Sequence, residues 1–205
     1  MSLIPVSYST YISISMKKYI LFKLWVALLL CCTAACQSNS GDGTMAAADN
    51  TEAAPTTIYV VRHAEKDTSD AKNEDPALTP AGEARAEALR ALLEGQEVDA
   101  LYTTKYIRNK STLQPLADER QLEMQVYEAH DFEGLKKQLL GQHRGETVVV
   151  VGHSNTILPI IEAFGTEKPV NEIADSVYSY LFKLTVAPDG TATVETSRFG
   201  AATAR

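Results

Sequence analysis

Four consecutive valines at positions 148–151 are the feature that most restricts how this chain can fold. Neighbouring side chains of a strand point to opposite faces, so a strand that is apolar at every position is buried on both faces. Residues 58–61 (IYVV) form a second run of this kind. Strands buried on both faces are typical of a parallel sheet covered by helices. The two runs therefore predict an α/β domain.

Patterns elsewhere in the chain predict helices and strands that alternate with these runs. Thr79 and Pro80 are suited to the N-cap and first position of a helix that Gly95 stops. Pro115 is expected to bend or restart a second helix, and a Pro-Asp-Gly sequence at 188–190 predicts a hairpin. The predicted strands are 58–61, 98–102, 122–127, 148–151, 180–186 and 191–197, and the predicted helices are 80–94, 105–120, 132–143 and 157–164.

This order predicts a three-layer α/β sandwich with a mainly parallel central sheet, helices on both faces and an antiparallel hairpin at one edge. Ligands of such sheets bind beyond the carboxyl ends of the strands. Arg62 and His63 follow the first strand, and His153 follows the four valines. Arg108 lies just inside the helix after the second strand, within reach of the same edge. These four side chains are therefore the first candidates for a site.

Two arginines and two histidines at one edge are suited to a phosphoryl group, because its charge is spread over several oxygens. An isolated Arg-His pair would more often be a surface arginine beside a hydrogen-bonded loop histidine, so the prediction depends on all four residues together. A metal site is the weaker interpretation, since both histidines are expected beside arginines that would repel a cation. We accordingly predict neither a metal nor another cofactor.

Four segments carry a resemblance to a known family. VVRHAEK (60–66) resembles a strand followed by an Arg-His-Gly signature, with Ala64 in the glycine position, and LTPAG (78–82) is similar to a Leu-Thr-x-x-Gly segment. TTKYIRNKSTL (103–113) resembles a Ser-x-x-x-x-Arg-x-x-x-Thr-Ala segment, with Thr103 or Thr104 replacing serine and Leu113 replacing alanine. VVVVGHS (148–154) resembles a strand with a second histidine. Together they resemble the histidine phosphatase superfamily, or phosphoglycerate mutase-like fold, in its small compact branch.

The resemblance implies a metal-independent phosphatase. His63 would be the nucleophile that forms a covalent phosphohistidine, and Arg62, Arg108 and His153 would bind the phosphoryl oxygens. The substrate would be a phosphorylated small molecule or a phosphoprotein. Three carboxyl groups could supply the proton to the leaving group. Glu128 fits the family's usual place best, and Asp131 and Glu65 are alternatives, although Asp131 also suits a helix N-cap and Glu65 an ion pair.

Two other functions are consistent with parts of the sequence. A membrane-anchored, non-catalytic module could bind phosphate without turnover, and Ala64 together with the uncertain acid keeps this alternative open. The segment GHSNT also resembles a nucleophile elbow, which would make Ser154 the nucleophile of a serine hydrolase. In that motif the histidine follows the serine, but no histidine follows His153. We therefore rank the serine hydrolase last.

The N-terminal part of the chain predicts export. A basic start at Met16 is followed by an apolar run, small residues and Cys36, which together predict a secretory signal of the bacterial lipoprotein type with Cys36 as the acylated residue. Either Met1 or Met16 could be the start. Residues 37–57 are small and polar and predict a disordered tether. We expect a lipoprotein anchored in a bacterial membrane, facing the periplasm or the cell surface.

The predicted organisation is an extension and signal at 1–35, a tether at 36–57 and a folded domain at 58–205. All three cysteines precede residue 37, so the folded domain has no disulfide, thiolate metal site or cysteine nucleophile. The formal net charge of −7 argues against a nucleic-acid partner, which usually requires a basic surface.

Overall fold

The computed structural model describes residues 53–203, which belong to one compact unit. Cys36, the predicted signal and most of the predicted tether lie outside the described residues, so the three predicted segment boundaries stay predictions. None of the helices in residues 53–203 is both long and apolar enough to cross a membrane.

Six strands and four helices alternate along the described chain, as the sequence predicted. In order they are β1 (Thr56–Arg62), α1 (Pro80–Leu92), β2 (Ala100–Thr103), α2 (Ile107–Arg120), β3 (Met124–Val126), α3 (Phe132–Gln142), β4 (Thr147–Gly152), α4 (Ile157–Ala163), β5 (Tyr180–Val186) and β6 (Ala192–Arg198).

The six strands form one sheet in the order β3-β2-β4-β1-β5-β6. β1, β2, β3 and β4 pair in parallel, whereas β5 pairs antiparallel with β1 and with β6. The predicted parallel sheet with an antiparallel edge hairpin is therefore confirmed. Because β1 and β4 are neighbours at the centre, the two predicted histidine-bearing strand ends are adjacent.

Alternate residues of the central strands contribute to two separate cores. Val148 and Val150 pack on one face with side chains of α3 and α4, whereas Val149 and Val151 pack on the other with side chains of α1 and α2. All four valines are fully buried. Burial on both faces explains why no polar residue interrupts this strand, and two helices on each face confirm the predicted three layers.

The differences from the predicted boundaries are one or two residues at the ends of elements, where assignments vary most. Thr79 caps α1 as predicted, with its hydroxyl accepting a hydrogen bond from the Gly82 amide at 3.2 Å. The helix ends at Leu92, before Gly95. Pro115 does not restart α2, which runs as a single helix from Ile107 to Arg120.

The register of the central strands sets the position of the site. Arg62 of β1 pairs with Gly152 of β4, so His63 and His153 each follow a member of the last pair. A Cβ atom at Gly152 would lie 2.9 Å from Thr156 Oγ1 and 3.2 Å from the Tyr127 hydroxyl oxygen. Glycine is therefore required there so that β4 can turn into α4 while His153 stays beside β1.

Candidate active site

His63 and His153 lie side by side at the carboxyl ends of β1 and β4. Their ring centroids are 5.5 Å apart and the rings meet edge to face. The His63 amide donates to the Gly152 carbonyl at 3.0 Å, which extends the β1–β4 pairing by one residue. Both side chains are buried, with 3% of His63 and 9% of His153 exposed. The sheet itself therefore sets the distance between the two imidazoles.

The environment of His63 keeps its ring neutral and fixes the tautomer. Burial lowers the pKa of His63 to about 3, and the nearby Arg62 and Arg108 guanidiniums act in the same direction. Nδ1 donates to the Ala64 carbonyl at 2.8 Å, because a carbonyl can only accept. In the neutral ring Nε2 is then unprotonated and has a lone pair available as a nucleophile.

The backbone after His63 is held by different parts of the fold. The Ala64 amide donates to Thr112 Oγ1 at 2.9 Å, and the Glu65 carbonyl accepts from the Thr79 amide at 2.9 Å. A Cβ atom at Gly82 would lie 2.3 Å from that carbonyl, so glycine is needed for the close approach. Among the described residues other than glycine, Gln121 alone has a positive φ, so Ala64 replaces the expected glycine without backbone strain.

Arg62 reaches the site from the end of β1 and also holds a loop. Its NH1 group donates to the carbonyls of Ala174, Asp175 and Val177 at 2.9–3.1 Å. The guanidinium lies 4.1 Å from the centroid of the Tyr178 ring, and burial lowers its pKa. The Nε atom is buried and has no hydrogen-bond partner in the described part of the chain. One part of this guanidinium is thus committed to the protein.

Arg108 approaches from the first turn of α2. Its guanidinium lies 4.3 Å from the centroid of the Tyr106 ring, and NH1 lies 3.4 Å from Asp75 Oδ1. Asp75 also accepts from the Ile107 amide and so caps a helix whose own N-cap residue makes no side-chain hydrogen bond. Arg108 Nε is likewise buried without a partner among residues 53–203. Two guanidiniums at the same edge of the sheet favour an anionic ligand.

His153 is the second imidazole of the site. Its Nε2 lies 3.1 Å from Thr104 Oγ1, and its ring contacts the Tyr106 ring edge to face at 5.4 Å. Burial, followed by the charges of Arg108 and Arg62, lowers the pKa of His153 to about 4. Both imidazoles are therefore neutral at pH 7, and the positive charge comes from the arginines.

The three candidate carboxyl groups have different surroundings. Glu128 and Asp131 line the cavity described below. Asp131 also caps α3, because its Oδ1 accepts from the Gly134 amide at 2.9 Å. Glu65 makes an ion pair with the buried Arg85. The Nε atom of Arg85 donates to both carboxylate oxygens of Glu65, at 3.0 and 2.9 Å. The side chain of Glu65 is thus engaged in a structural ion pair.

A surface cavity of about 750 Å³ joins these side chains. Arg62, His63, Arg108 and His153 line it, as sequence reasoning expected of one site. Lys66, Thr104, Tyr106, Asp175 and Tyr178 also line it. No sequence pattern had singled out Asp75, Asp175 or Tyr178. Loop residues of this kind have no periodic pattern, although Asp75 lies next to the LTPAG segment.

The surroundings of Ser154 do not resemble those of a serine hydrolase. Its hydroxyl donates to Asp175 Oδ1 at 3.2 Å, and its neighbour His153 instead contacts Thr104. Activation of serine normally requires a hydrogen-bonded base such as histidine. Among residues 53–203, no group of three or more His, Cys, Asp or Glu side chains is placed to hold a metal ion.

Comparison with protein families gives a match over the first half of the described domain. Residues 58–131 match the model of the histidine phosphatase superfamily (branch 1). This segment contains three of the four resemblances found in the sequence, so the resemblance to the superfamily is confirmed over that range. A comparison with curated protein sequences gave no match.

Solved structures share the fold of the whole domain. The protein histidine phosphatase SixA complexed with tungstate has a TM-score of 0.58 at 17% identity, covering 69% of this chain and 96% of its own. YhfR from Bacillus stearothermophilus has a TM-score of 0.56 at 20% identity, and the match covers 68% of this chain and 95% of YhfR. Phosphoserine phosphatase from Entamoeba histolytica in complex with 3-phosphoglyceric acid has a TM-score of 0.55 at 16% identity, and the match covers 72% of this chain and 98% of the phosphatase. At these identities the likeness shows the fold.

Proposed function

We propose that this chain is a phosphohydrolase of the histidine phosphatase superfamily that acts through a covalent phosphohistidine on His63. The observation that carries the proposal is the buried, neutral His63 with an unprotonated Nε2, in one cavity with the guanidiniums of Arg62 and Arg108. The solved relative SixA holds tungstate, a tetrahedral oxyanion like phosphate, which supports an oxyanion as ligand here.

In the first step the Nε2 lone pair of His63 attacks phosphorus, a P–N bond forms and the ester P–O bond breaks. The departing oxygen takes up a proton from a carboxyl group of the cavity. In the second step water gives a proton back to that carboxylate and attacks phosphorus, the P–N bond breaks, and phosphate leaves with His63 again neutral. Arg62 and Arg108 stabilise the charge on the phosphoryl oxygens, and His153 contributes a hydrogen bond.

The test of this proposal is replacement of the nucleophile. We expect His63→Ala to abolish hydrolysis of p-nitrophenyl phosphate and to prevent formation of an acid-labile, alkali-stable phosphoenzyme. His143→Ala is the matched control, because His143 contacts Tyr102 and Glu146 away from the cavity. Turnover by His63→Ala would reject the mechanism. A wild-type protein that binds vanadate but hydrolyses no phosphomonoester would instead be a phosphate-binding module.

We propose Glu128 as the acid that protonates the leaving group, because it lines the cavity whereas Asp131 is engaged as the cap of α3. The acid must be protonated to act, so its loss should remove the basic limb of the pH–kcat profile. We expect this effect in Glu128→Gln and not in Asp131→Asn. The loss should be larger for an alkyl phosphate than for p-nitrophenyl phosphate, whose leaving group needs less protonation. The opposite ranking of the two variants would assign the role to Asp131.

The substrate is proposed to be a phosphorylated small molecule or a phosphoprotein, because the cavity is open at the surface. A screen of phosphate esters and phosphopeptides, with His63→Ala as the blank, would identify it.

We also propose the lipoprotein anchor at Cys36, which rests on the sequence alone. Incorporation of labelled palmitate into the wild type but not into Cys36→Ser would support it, and equal labelling would reject it.

A further inference from the structure

One buried hydroxyl connects the residue after His63 to the helix that carries Arg108. Thr112 is 1% exposed and lies one helical turn after Arg108. Its hydroxyl donates to the Arg108 carbonyl at 2.7 Å and accepts from the Ala64 amide at 2.9 Å. Threonine often bonds to the carbonyl four residues earlier in a helix, but the second bond is to a residue 48 positions away.

Ala64 is the residue that sets the tautomer of His63. The Ala64 carbonyl accepts the Nδ1–H bond that leaves Nε2 unprotonated. Ala64 is fully buried, so its amide would have no acceptor if the hydroxyl were removed. The direction of its carbonyl depends on the backbone of the same residue, whose amide Thr112 holds.

From this geometry we infer that Thr112 is a positioning residue, which holds Ala64 so that His63 keeps the Nδ1–H tautomer and presents Nε2 to the substrate. The same hydroxyl fixes the start of α2, and therefore Arg108, relative to His63. This inference deepens the proposed phosphohydrolase mechanism and depends on it only for the effect on turnover. The effect on the His63 tautomer requires no activity.

The test compares Thr112→Val, which keeps the shape but removes the hydroxyl, with Thr112→Ser, which keeps the hydroxyl. In the full-length protein labelled with ¹⁵N-histidine, the His63 nitrogen signals are identified by their loss in His63→Ala. We expect the wild type and Thr112→Ser to show the Nδ1–H tautomer and Thr112→Val to show a mixture. We also expect kcat to fall about tenfold in Thr112→Val, as for loss of one buried hydrogen bond, and to recover in Thr112→Ser.

Thr56→Val is the matched control. Thr56 is also buried, and its hydroxyl also joins a carbonyl, of His143 at 3.4 Å, and an amide, of Gly145 at 2.9 Å. It lies at the opposite end of β1, so we expect Thr56→Val to lose stability without changing kcat or the His63 tautomer.

An unchanged His63 tautomer in a folded Thr112→Val would overturn the inference. If that variant does not fold, Thr112→Ala is measured in its place. A tautomer change without any phosphatase activity in the wild type would support the positioning role and reject the proposed function. A fall in kcat with the tautomer retained would assign Thr112 a purely structural role and also overturn the inference.

Discussion

The two arginines of the cavity have similar neighbours but different attachments to the fold. Each stacks on a tyrosine, Arg62 on Tyr178 at 4.1 Å and Arg108 on Tyr106 at 4.3 Å. Each also faces an aspartate, Arg62 facing Asp175 at 3.6 Å and Arg108 facing Asp75 at 3.4 Å.

The two ion pairs differ in which of their residues, the arginine or the aspartate, is hydrogen-bonded to the backbone of the fold. Arg62 holds three backbone carbonyls of the loop before β5, whereas the side chain of Asp175 is 95% exposed. On the other side the aspartate is structural, because Asp75 caps α2 as well as facing Arg108. The same pair of residue types therefore stabilises the fold through the arginine of the Arg62–Asp175 pair and through the aspartate of the Arg108–Asp75 pair.

The largest expected effect is the loss of activity when either arginine of the cavity is replaced, and stability should fall only when Arg62 is replaced. Arg62→Gln and Arg108→Gln should each lower kcat/KM by about 10²–10³-fold, because in the proposed mechanism each removes a donor to the phosphoryl oxygens. The Arg62 variant alone should also lower the free energy of unfolding, by about 1–3 kcal/mol, because three loop carbonyls lose hydrogen bonds to a charged donor. Chemical denaturation and steady-state kinetics on the same samples measure both. Equal losses of stability in the two variants would contradict the different attachments of Arg62 and Arg108.

The second prediction concerns the effect of pH on stability through the two buried histidines, His63 and His153. Folding lowers the pKa of His63 to about 3 and that of His153 to about 4, whereas the unfolded value is about 6.5. Below pH 6.5 the unfolded chain therefore binds more protons, and the free energy of unfolding falls on acidification, by at most ~1.4 kcal/mol per pH unit for each histidine.

Denaturation of the ligand-free protein between pH 7 and pH 4 measures this slope. His63→Asn and His153→Asn should each make stability less dependent on pH. The contribution of His153 should level off near pH 4, whereas that of His63, with its pKa of about 3, should still increase at the lower end of this range. A slope unchanged in both variants would contradict the burial of the imidazoles as its cause.

The smallest expected effect concerns the two aspartates. Asp75→Ala should lower the free energy of unfolding by about 1 kcal/mol, as for loss of a helix cap, and should raise KM because Arg108 loses its partner. Asp175→Ala should change stability by less than about 0.5 kcal/mol, because its side chain is on the surface. The same denaturation series measures both. A larger loss in Asp175→Ala would reverse the assignment.

The order of elements could be predicted because it depends on burial, which the sequence records as apolar runs and periodic faces. The four valines of β4 are apolar on both faces of the strand, so the centre of a covered sheet is the environment that suits them. The edge that carries His63 and His153 followed from the rule that binding residues lie at the carboxyl ends of parallel strands. The positions of Arg62 and Arg108 followed from the same reasoning.

The contacts that prepare the site could not be predicted in this way. The acceptors of Arg62 are backbone carbonyls, which every residue has, so no side-chain pattern marks the loop at 174–177. Asp75 caps α2 from a distant loop, and Thr112 bonds across to Ala64. Such contacts depend on tertiary geometry. Glu65 illustrates the same limit, since its partner Arg85 is 20 residues away and was not singled out.

The pairing of Arg62 with Gly152 has a consequence for how such a domain could diversify. The gap between the imidazoles is a property of neighbouring parallel strands, so insertions or deletions in the surrounding loops leave it unchanged. Residues such as Tyr106 and Tyr178, which stand on those loops, can be exchanged to suit a different ligand. The loops that select the ligand and the strands that set the spacing of the two imidazoles are therefore separate parts of the chain, and either can be redesigned alone.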